Sequence, residues 1–485
     1  MAARKNTMTT PHPGHGSTGS FHPDAGQEHR AAITRGISLM TGDPKTAVWK
    51  LSGPMMMAML LMSLYNLINA IWVAGLGPDA LAAVGFITPV FMIFIGLGNG
   101  LGAGISSVIA RRIGSGNRPG ADSAAMHGLI ISLVTAVILT IPLVIFAEPV
   151  AYALGAGAVA PLAAEYGRIL FAGTVFILFT NTAYAILRGE GDTRRTMYAI
   201  GASSVLNAVL DPILIYRAGL GIAGAAIATV ISIAAVTAVL LYWFLVKKDT
   251  YVTFSLQHFT PERDTAGDIL RVGLPASVEY FLMAILAIFI NGILVLMAGT
   301  DAVAVYTSGW RLVMFAIIPD LAISTTLISV VGAAYGARNF LNLKTAHTYA
   351  IRLGTLIAIG MAAIIFIFAP QIAVLFTYSA ETAYLAPRIA SFLRVISILF
   401  FFIPAGMMSL AVFQGTGRGL TSLVINVLRN LAFVAVCVVI LGILLGYGET
   451  GVWFGIVLGN ILGSSVAYLW ARVYITRLVA REAAA

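Results

Sequence analysis

The chain has 485 residues, 59% of them hydrophobic and only 10% charged, with a mean hydropathy of +0.92. A soluble domain carries about a quarter charged residues, so this composition excludes a water-surrounded fold and makes lipid the solvent. The net charge of +9 suits nucleic acid in the abstract, but its placement along the chain excludes that partner.

Residues 1–45 are polar and rich in Gly, Pro and His, and they lack the apolar stretch of a signal peptide. His12, His15, His22 and His29 are irregularly spaced, which reads as a solvated, disordered cytoplasmic tail rather than a metal site. Windows with little or no charge follow, each long enough at 1.5 Å per residue to cross about 30 Å of hydrocarbon. Six run over 51–78, 80–110, 128–147, 169–187, 196–216 and 218–246, with Asp211 the one charge among them. A long polar junction comes next. Six more cover 272–300 with Glu279, 302–337 with Arg311 and Asp320, and the uncharged 353–380. The last are 389–417 with Arg394, 419–448 with Arg429, and 450–471. The expectation is an all-α polytopic membrane protein with twelve transmembrane helices.

The basic residues sort by junction. Even-numbered junctions hold Arg111, Arg112 and Arg118, then Arg194 and Arg195, then Lys247, Lys248 and Arg263, and later Arg338, Lys344 and Arg418. Odd-numbered ones are mostly acidic, with Asp79, Glu148, Glu165, Asp301, Glu381 and Glu449. The positive-inside rule then predicts a multi-pass protein of the cell membrane with both termini cytoplasmic. Basicity is a topology signal here, with membrane lipids as partners and no nucleic acid.

The chain also repeats itself. "GLGPDALAAV" matches "MAGTDAVAVY"; "ARRIGSGN", ending at Asn117, matches "GAAYGARN", ending at Asn339; "GEGD" at Gly189 matches "GTGR" at Gly415. Order is kept, so a six-helix unit has been duplicated. An even helix count makes the halves parallel repeats about an axis along the membrane normal, with substrate sites near the midplane. The expected layout is a tail over 1–45, an N-lobe over 46–246 and a cytoplasmic linker over 247–271. A C-lobe over 272–475 and a tail over 476–485 complete it. At the second-half positions matching Asn207 and Asp211 the chain reads "FVAVCVV". The acid belongs to the first half alone. Cys437, the single cysteine, is expected to serve packing.

Asn207 and Asp211 are four apart and share one helix face. Burying an ionised carboxylate is costly, so a carboxyl facing a cavity can exchange a proton near neutral pH. Thr229, Tyr65 and Asn69 offer uncharged hydrogen-bonding groups on other helices of the same half. Tyr65, Glu279 and Arg311 are candidates for substrate contact. Arg311, Asp320, Arg394 and Arg429 are expected to pair among themselves or with Glu279. No Gly-Lys dipeptide, zinc motif or serine-nucleophile elbow is present, so the reading is a carrier rather than an enzyme, without cofactor, driven by an ion gradient.

The runs "LYNLINAIWVAGLGPDALAAVGF", "GAGISSVIARRIGSGN" and "ILRGEGDTRRTMYAIGASSVLNAVLDPILIYRAGLGIAGAAIATVIS" resemble the multidrug and toxic compound extrusion (MATE) transporters, as does "ISVVGAAYGARN". The likeness covers roughly residues 45–475, and the first-lobe acid chemistry is similar to that of archaeal and DinF-like bacterial members. It implies two six-helix lobes in a V, alternating access, and export of amphipathic, mostly cationic compounds against proton or sodium entry, by a monomer. The family's first-lobe ion site falls on Asn69, Asn207, Asp211 and Thr229, and Glu279 falls where many members carry an acid. The family reads aspartate at the first of these positions; this chain has Asn69. Asparagine cannot titrate, so protons gain on sodium as the coupling ion, although Asp211, Asn207 and Thr229 can still ligate Na+. The alternative reading is a flippase for a lipid-linked precursor of the same fold; twelve spans and "LDPILI" favour drug export. A channel or a membrane enzyme needs symmetric pore segments or a catalytic cluster, and the sequence offers neither.

Overall fold

The computed structural model describes residues 34–254, 259–377 and 382–483; residues 1–33, including the four tail histidines, lie outside the described residues. Among the described residues eleven helices are long and apolar enough to cross a membrane, and a bent pair makes a twelfth. The first six are α1 (Pro44–Ala74), α2 (Pro78–Gly114), α3 (Arg118–Ile145), α4 (Gly157–Ala172 and Thr174–Gly189, bent by 45°), α5 (Thr193–Arg217) and α6 (Gly221–Lys247). The second six are α7 (Arg263–Ala316), α8 (Ile318–Gly336), α9 (Phe340–Ile367), α10 (Ala383–Phe401, prolonged by Ile403–Gly415), α11 (Gly419–Leu444) and α12 (Gly448–Ala483). α7 is too long for one crossing: it breaks at Gly299, whose φ of 75° only glycine adopts without strain. α8 follows its last turn across Ile317.

Helix starts follow local chemistry. Asp43 caps α1, accepting from the Thr46 amide at 2.8 Å, with Pro44 in the first turn. Asn117 and Asn339, the matched ends of the internal repeat, cap α3 and α9 by accepting from the Gly120 and Asn342 amides at 2.8 and 2.9 Å. Four helix bounds differ from the charge-poor windows. α3 and α9 begin at Arg118 and Phe340 rather than at 128 and 353. The linker ends where α7 starts at Arg263, and the expected tail over 476–485 is helical as far as Ala483. The cause is common to all: charged turns are helical too, because they project beyond the hydrocarbon where charge costs little.

What remains of the linker is tied to the first half. Glu190 accepts from the Tyr251 and Val252 amides at 3.0 and 3.1 Å, and Asp122 accepts from the Thr253 amide at 2.8 Å. The Glu262 amide donates to His127 Nε2 at 2.8 Å. These side chains, Glu190 and His127 buried and Asp122 half-buried, satisfy strap amides that have no helical partner. Burial pushes the Glu190 carboxyl up to about 8, against the two amides that favour its ionised form.

The apolar packing explains how the halves meet. One core is built from both, joining Ile109 and Ile113 of α2 to Leu327 and Val331 of α8. The other two belong to one half each, around Ile87, Phe94 and Phe171 in the first and around Val305, Phe392 and Val438 in the second. The halves therefore share an interior at the end carrying the basic junctions and have separate interiors at the other. At the shared end α2 and α8 cross backbone to backbone. A Cβ on Gly114 would lie 2.0 Å from the Ala333 carbonyl oxygen, and one on Gly336 would lie 2.0 Å from that of Arg111. Outward-facing side chains such as Ile138, Leu356 and Leu444 are 64–72% exposed, as lipid-facing surface requires.

Candidate functional site

The first-half site is built where α1, α5 and α6 meet. On α5, Asn207 and Asp211 are buried, Asp211 completely. Pro212 follows, and the helix widens to a π-helical turn over Ile213–Arg217. Proline removes a backbone donor, and such widenings are frequent at functional sites. From α1, the Asn69 amide donates to Asp211 Oδ2 at 3.1 Å. One turn away, the Asn207 amide donates to Thr229 Oγ1 of α6 at 3.1 Å, and that hydroxyl donates to the Ala225 carbonyl at 3.0 Å. Tyr65, on α1 one turn before Asn69, interacts with Thr229, and Tyr166 of α4 lies beside both Tyr65 and Asp211. The structure thus brings together five residues expected from sequence: Tyr65, Asn69, Asn207, Asp211 and Thr229. Tyr166 was missed; it lies in an ordinary amphipathic run and only packing places it here.

The second half assembles a different cluster. Glu279 of α7 accepts from Ser422 Oγ of α11 at 3.0 Å and from the Gln414 amide at 3.4 Å, and Gln414 also donates to Ser422 at 3.2 Å. Asn426, one turn after Ser422, bonds the same carboxyl. Arg429 lies buried a further turn along, in another π-helical segment, Val427–Ala432. Its side chain passes between Gly406 and Gly463, where a Cβ would come within 2.7 and 2.8 Å of it. Asp320 of α8, also buried, fits against Gly354 of α9. Arg429 interacts electrostatically with both Glu279 and Asp320 without closing a salt bridge to either.

Arg311 is not part of this cluster; it stands exposed beyond the Gly299 break. Arg394 sits over the Phe366 ring at 5.9 Å, and among the described residues no acid pairs with it. Cys437 is buried and unbonded, as a packing residue. Gln414, Ser422 and Asn426 were missed, although Ser422 and Asn426 share the four-residue spacing that marked Asn207 and Asp211.

Comparison with known proteins settles the family. The model described as MatE matches residues 54–213 and 275–447. The chain belongs to the MATE family. Among curated relatives, the multidrug export protein MepA of Staphylococcus saprophyticus is 26% identical over 454 residues, covering 90% of this chain and 97% of that protein. MepA of Staphylococcus aureus strain MSSA476 is 28% identical over 437 residues, covering 87% and 92%. A MOP superfamily transporter from Pyrococcus furiosus is 45% identical with a TM-score of 0.88, covering 92% of this chain and 99% of its own. A MATE family multidrug resistance transporter solved in an outward-facing conformation is also 45% identical, with a TM-score of 0.89 and the same coverage. This MATE chain is an all-helical, multi-pass membrane transporter and not an enzyme, and the two-lobed fold expected from its repeat is the fold it has.

Proposed function

We propose that this MATE transporter exports amphipathic, cationic organic compounds in exchange for protons that load and leave Asp211. The observation that carries the reading is the company of that carboxyl: completely buried, it is approached by the Asn69 amide and flanked by the Asn207–Thr229 pair. These three groups are neutral. A buried carboxyl beside neutral donors can take up and release a proton or a small cation, and exchange between the two faces follows if the lobes rock about the site. The export of drugs by the MepA relatives supports the substrate class. One carboxylate with neutral oxygens offsets sodium dehydration less well than two, which favours the proton; Na+ at Asp211, Asn207 and Thr229 is the competing occupant. Tyr65 lines the substrate path in this reading, Glu279 contributes to binding from the second lobe, and Arg311 meets substrate in another conformation.

Everted vesicles given a fluorescent cation in the outside medium, where export appears as uptake into the lumen, test this directly, with pH and sodium gradients imposed separately. Export on a pH gradient alone is expected; export on a sodium gradient at equal pH alone would overturn proton coupling. The proposed orientation, with both termini cytoplasmic, is checked by cysteines introduced at Ser115 and Thr450. Membrane-impermeant labelling should reach them from opposite faces, Ser115 from the cytoplasmic one.

A further inference from the structure

We propose that a groove at the basic end of the second half, between the α10–α11 turn and the last turns of α12, binds the phosphate of an anionic lipid headgroup. A cavity of about 160 Å³ there is lined by Arg418, Arg477 and Arg481 together with Trp470 and Tyr474. The four α12 residues recur at three- and four-residue intervals, so they share one helix face. Arg418 comes from the turn and is positioned by stacking: its guanidinium lies 4.4 Å from the centroid of the Tyr474 ring, which is itself stacked on Phe413 at 5.4 Å.

Three observations separate this groove from ordinary positive-inside charge. First, the groove's arginines differ from Arg111, Arg195 and Lys247 at this end, which pair with Asp268, with Asp192 and Asp249, and with Asp249 respectively. Among the described residues no such pair joins Arg418, Arg477 or Arg481 to a carboxylate. Guanidinium forks match phosphate oxygens bidentately, and three converge here. Second, the internal repeat shows a reversal. Asp192, which Arg418 replaces in the matched turn, caps α5 by accepting from the Arg195 amide at 3.1 Å. Arg418 precedes α11 with no side-chain cap, so the positive end of that helix is left beside the groove.

Third, the groove sits at headgroup depth and continues toward lipid. At 1.5 Å per residue, Trp470 is about 33 Å from the start of α12, and Arg477 and Arg481 are about 44 and 50 Å along. With a hydrocarbon core of about 30 Å, Trp470 marks its edge and the arginines lie in the headgroup layer. Trp470 and Val473 are 43% and 49% exposed, and a second groove of about 460 Å³ runs along the far side of Val473 and Arg477 past Leu469. Free phosphate leaves this apolar surface uncovered; an acyl chain covers it.

The test uses the purified full-length chain in detergent, with bound lipid counted by native mass spectrometry. Dioleoylphosphatidylglycerol should be retained at least fivefold over dioleoylphosphatidylcholine, and the variant R418Q/R477Q/R481Q should bring that ratio within twofold of unity. K344Q, which removes a basic-end charge outside the groove, should keep the ratio, and soluble glycerol 1-phosphate should not displace the lipid. The proposal is overturned if the triple variant retains the wild-type ratio, if K344Q loses as much, or if glycerol 1-phosphate displaces the lipid completely. Should the triple variant not be recovered folded, R477Q alone is expected to halve the ratio, and an unchanged ratio overturns the proposal equally.

Discussion

The two halves hold their intramembrane carboxyls in opposite company. Around Asp211 stand an amide from Asn69 and the Asn207–Thr229 pair, all neutral groups. Glu279 and Asp320 instead share the field of Arg429, a permanent positive charge in the same buried region. Counting from the matched Gly189 and Gly415, Asp211 falls on Cys437, so the duplicated helix lost or never had an acid where the first half keeps one. Duplication supplied two equivalent frames; divergence set one carboxyl among neutral amide and hydroxyl groups and the others in the field of a buried arginine. A carboxyl among neutral groups suits coupling, whereas one in the field of a fixed charge suits structure or steady recognition.

The sharpest way to break that contrast is Asp211→Asn. Gradient-driven export is expected to fall at least tenfold, to the level of empty proteoliposomes, with the protein still inserted and its melting point little changed. Wild-type transport by this variant would reduce Asp211 to a helix-bonding group. Arg429→Met should act the other way round. Removing one member of a buried charge cluster costs on the order of 3 kcal/mol, seen as a lowered unfolding midpoint, and adding Glu279→Gln should restore part of it. If Arg429→Met destabilises no more than Asp211→Asn does, the fixed-partner description of the second half fails. Glu279→Gln by itself should weaken substrate binding a few-fold in equilibrium titration; unchanged affinity would make Glu279 an anchor.

Asn69→Asp sharpens the contrast by placing a second carboxyl beside Asp211. Two acids compensate a dehydrated cation better than one, so export should gain sodium dependence or run at a higher pH, measured in the same vesicles. The smallest effect is expected outside both sites. Glu190 has its carboxyl raised by burial to about 8 from an ordinary value of 4.5. The folded chain therefore holds this proton more tightly than the unfolded one, and its contribution to stability is full below pH 4.5 and lost as pH rises through 8. Thermal midpoints should decline over that window, and Glu190→Gln should flatten the decline by a few degrees. An identical pH profile for both proteins would show that the strap contact is not what titrates.

Much of this was legible in the residue order. Charge-poor windows located the candidate membrane spans, and Asn117 and Asn339, legible only as matched ends of the repeat, are caps that both halves use. The first-half site was readable because Asn207 and Asp211 break an apolar run at one-turn spacing, a pattern no lipid-facing helix carries by chance. The Glu279 cluster was harder to see. Its partners Gln414, Ser422 and Asn426 sit at a helix end and in the first turns of the next helix, where polar residues are expected for other reasons. Helix ends were misjudged wherever charge was taken as the boundary, as at Arg118, Phe340 and Ala483, since charge ends the hydrocarbon and not the helix. The π-helical turns after Pro212 and around Arg429 left no sequence mark that separates them from regular helix.

The crossing of α2 and α8 has a further consequence. Arg111 meets Gly336 as Ala333 meets Gly114, with each pair the repeat image of the other. A contact in which residue i touches j and j touches i is the isologous kind that joins two identical subunits about a two-fold axis. Such a contact needs one self-complementary patch instead of two matched ones, so a lone six-helix ancestor already carried everything required to close against a copy of itself. Fusion of the two copies preserved that patch while freeing the rest of each half to change, and the unequal treatment of the carboxyls is built on a joint that stayed symmetric.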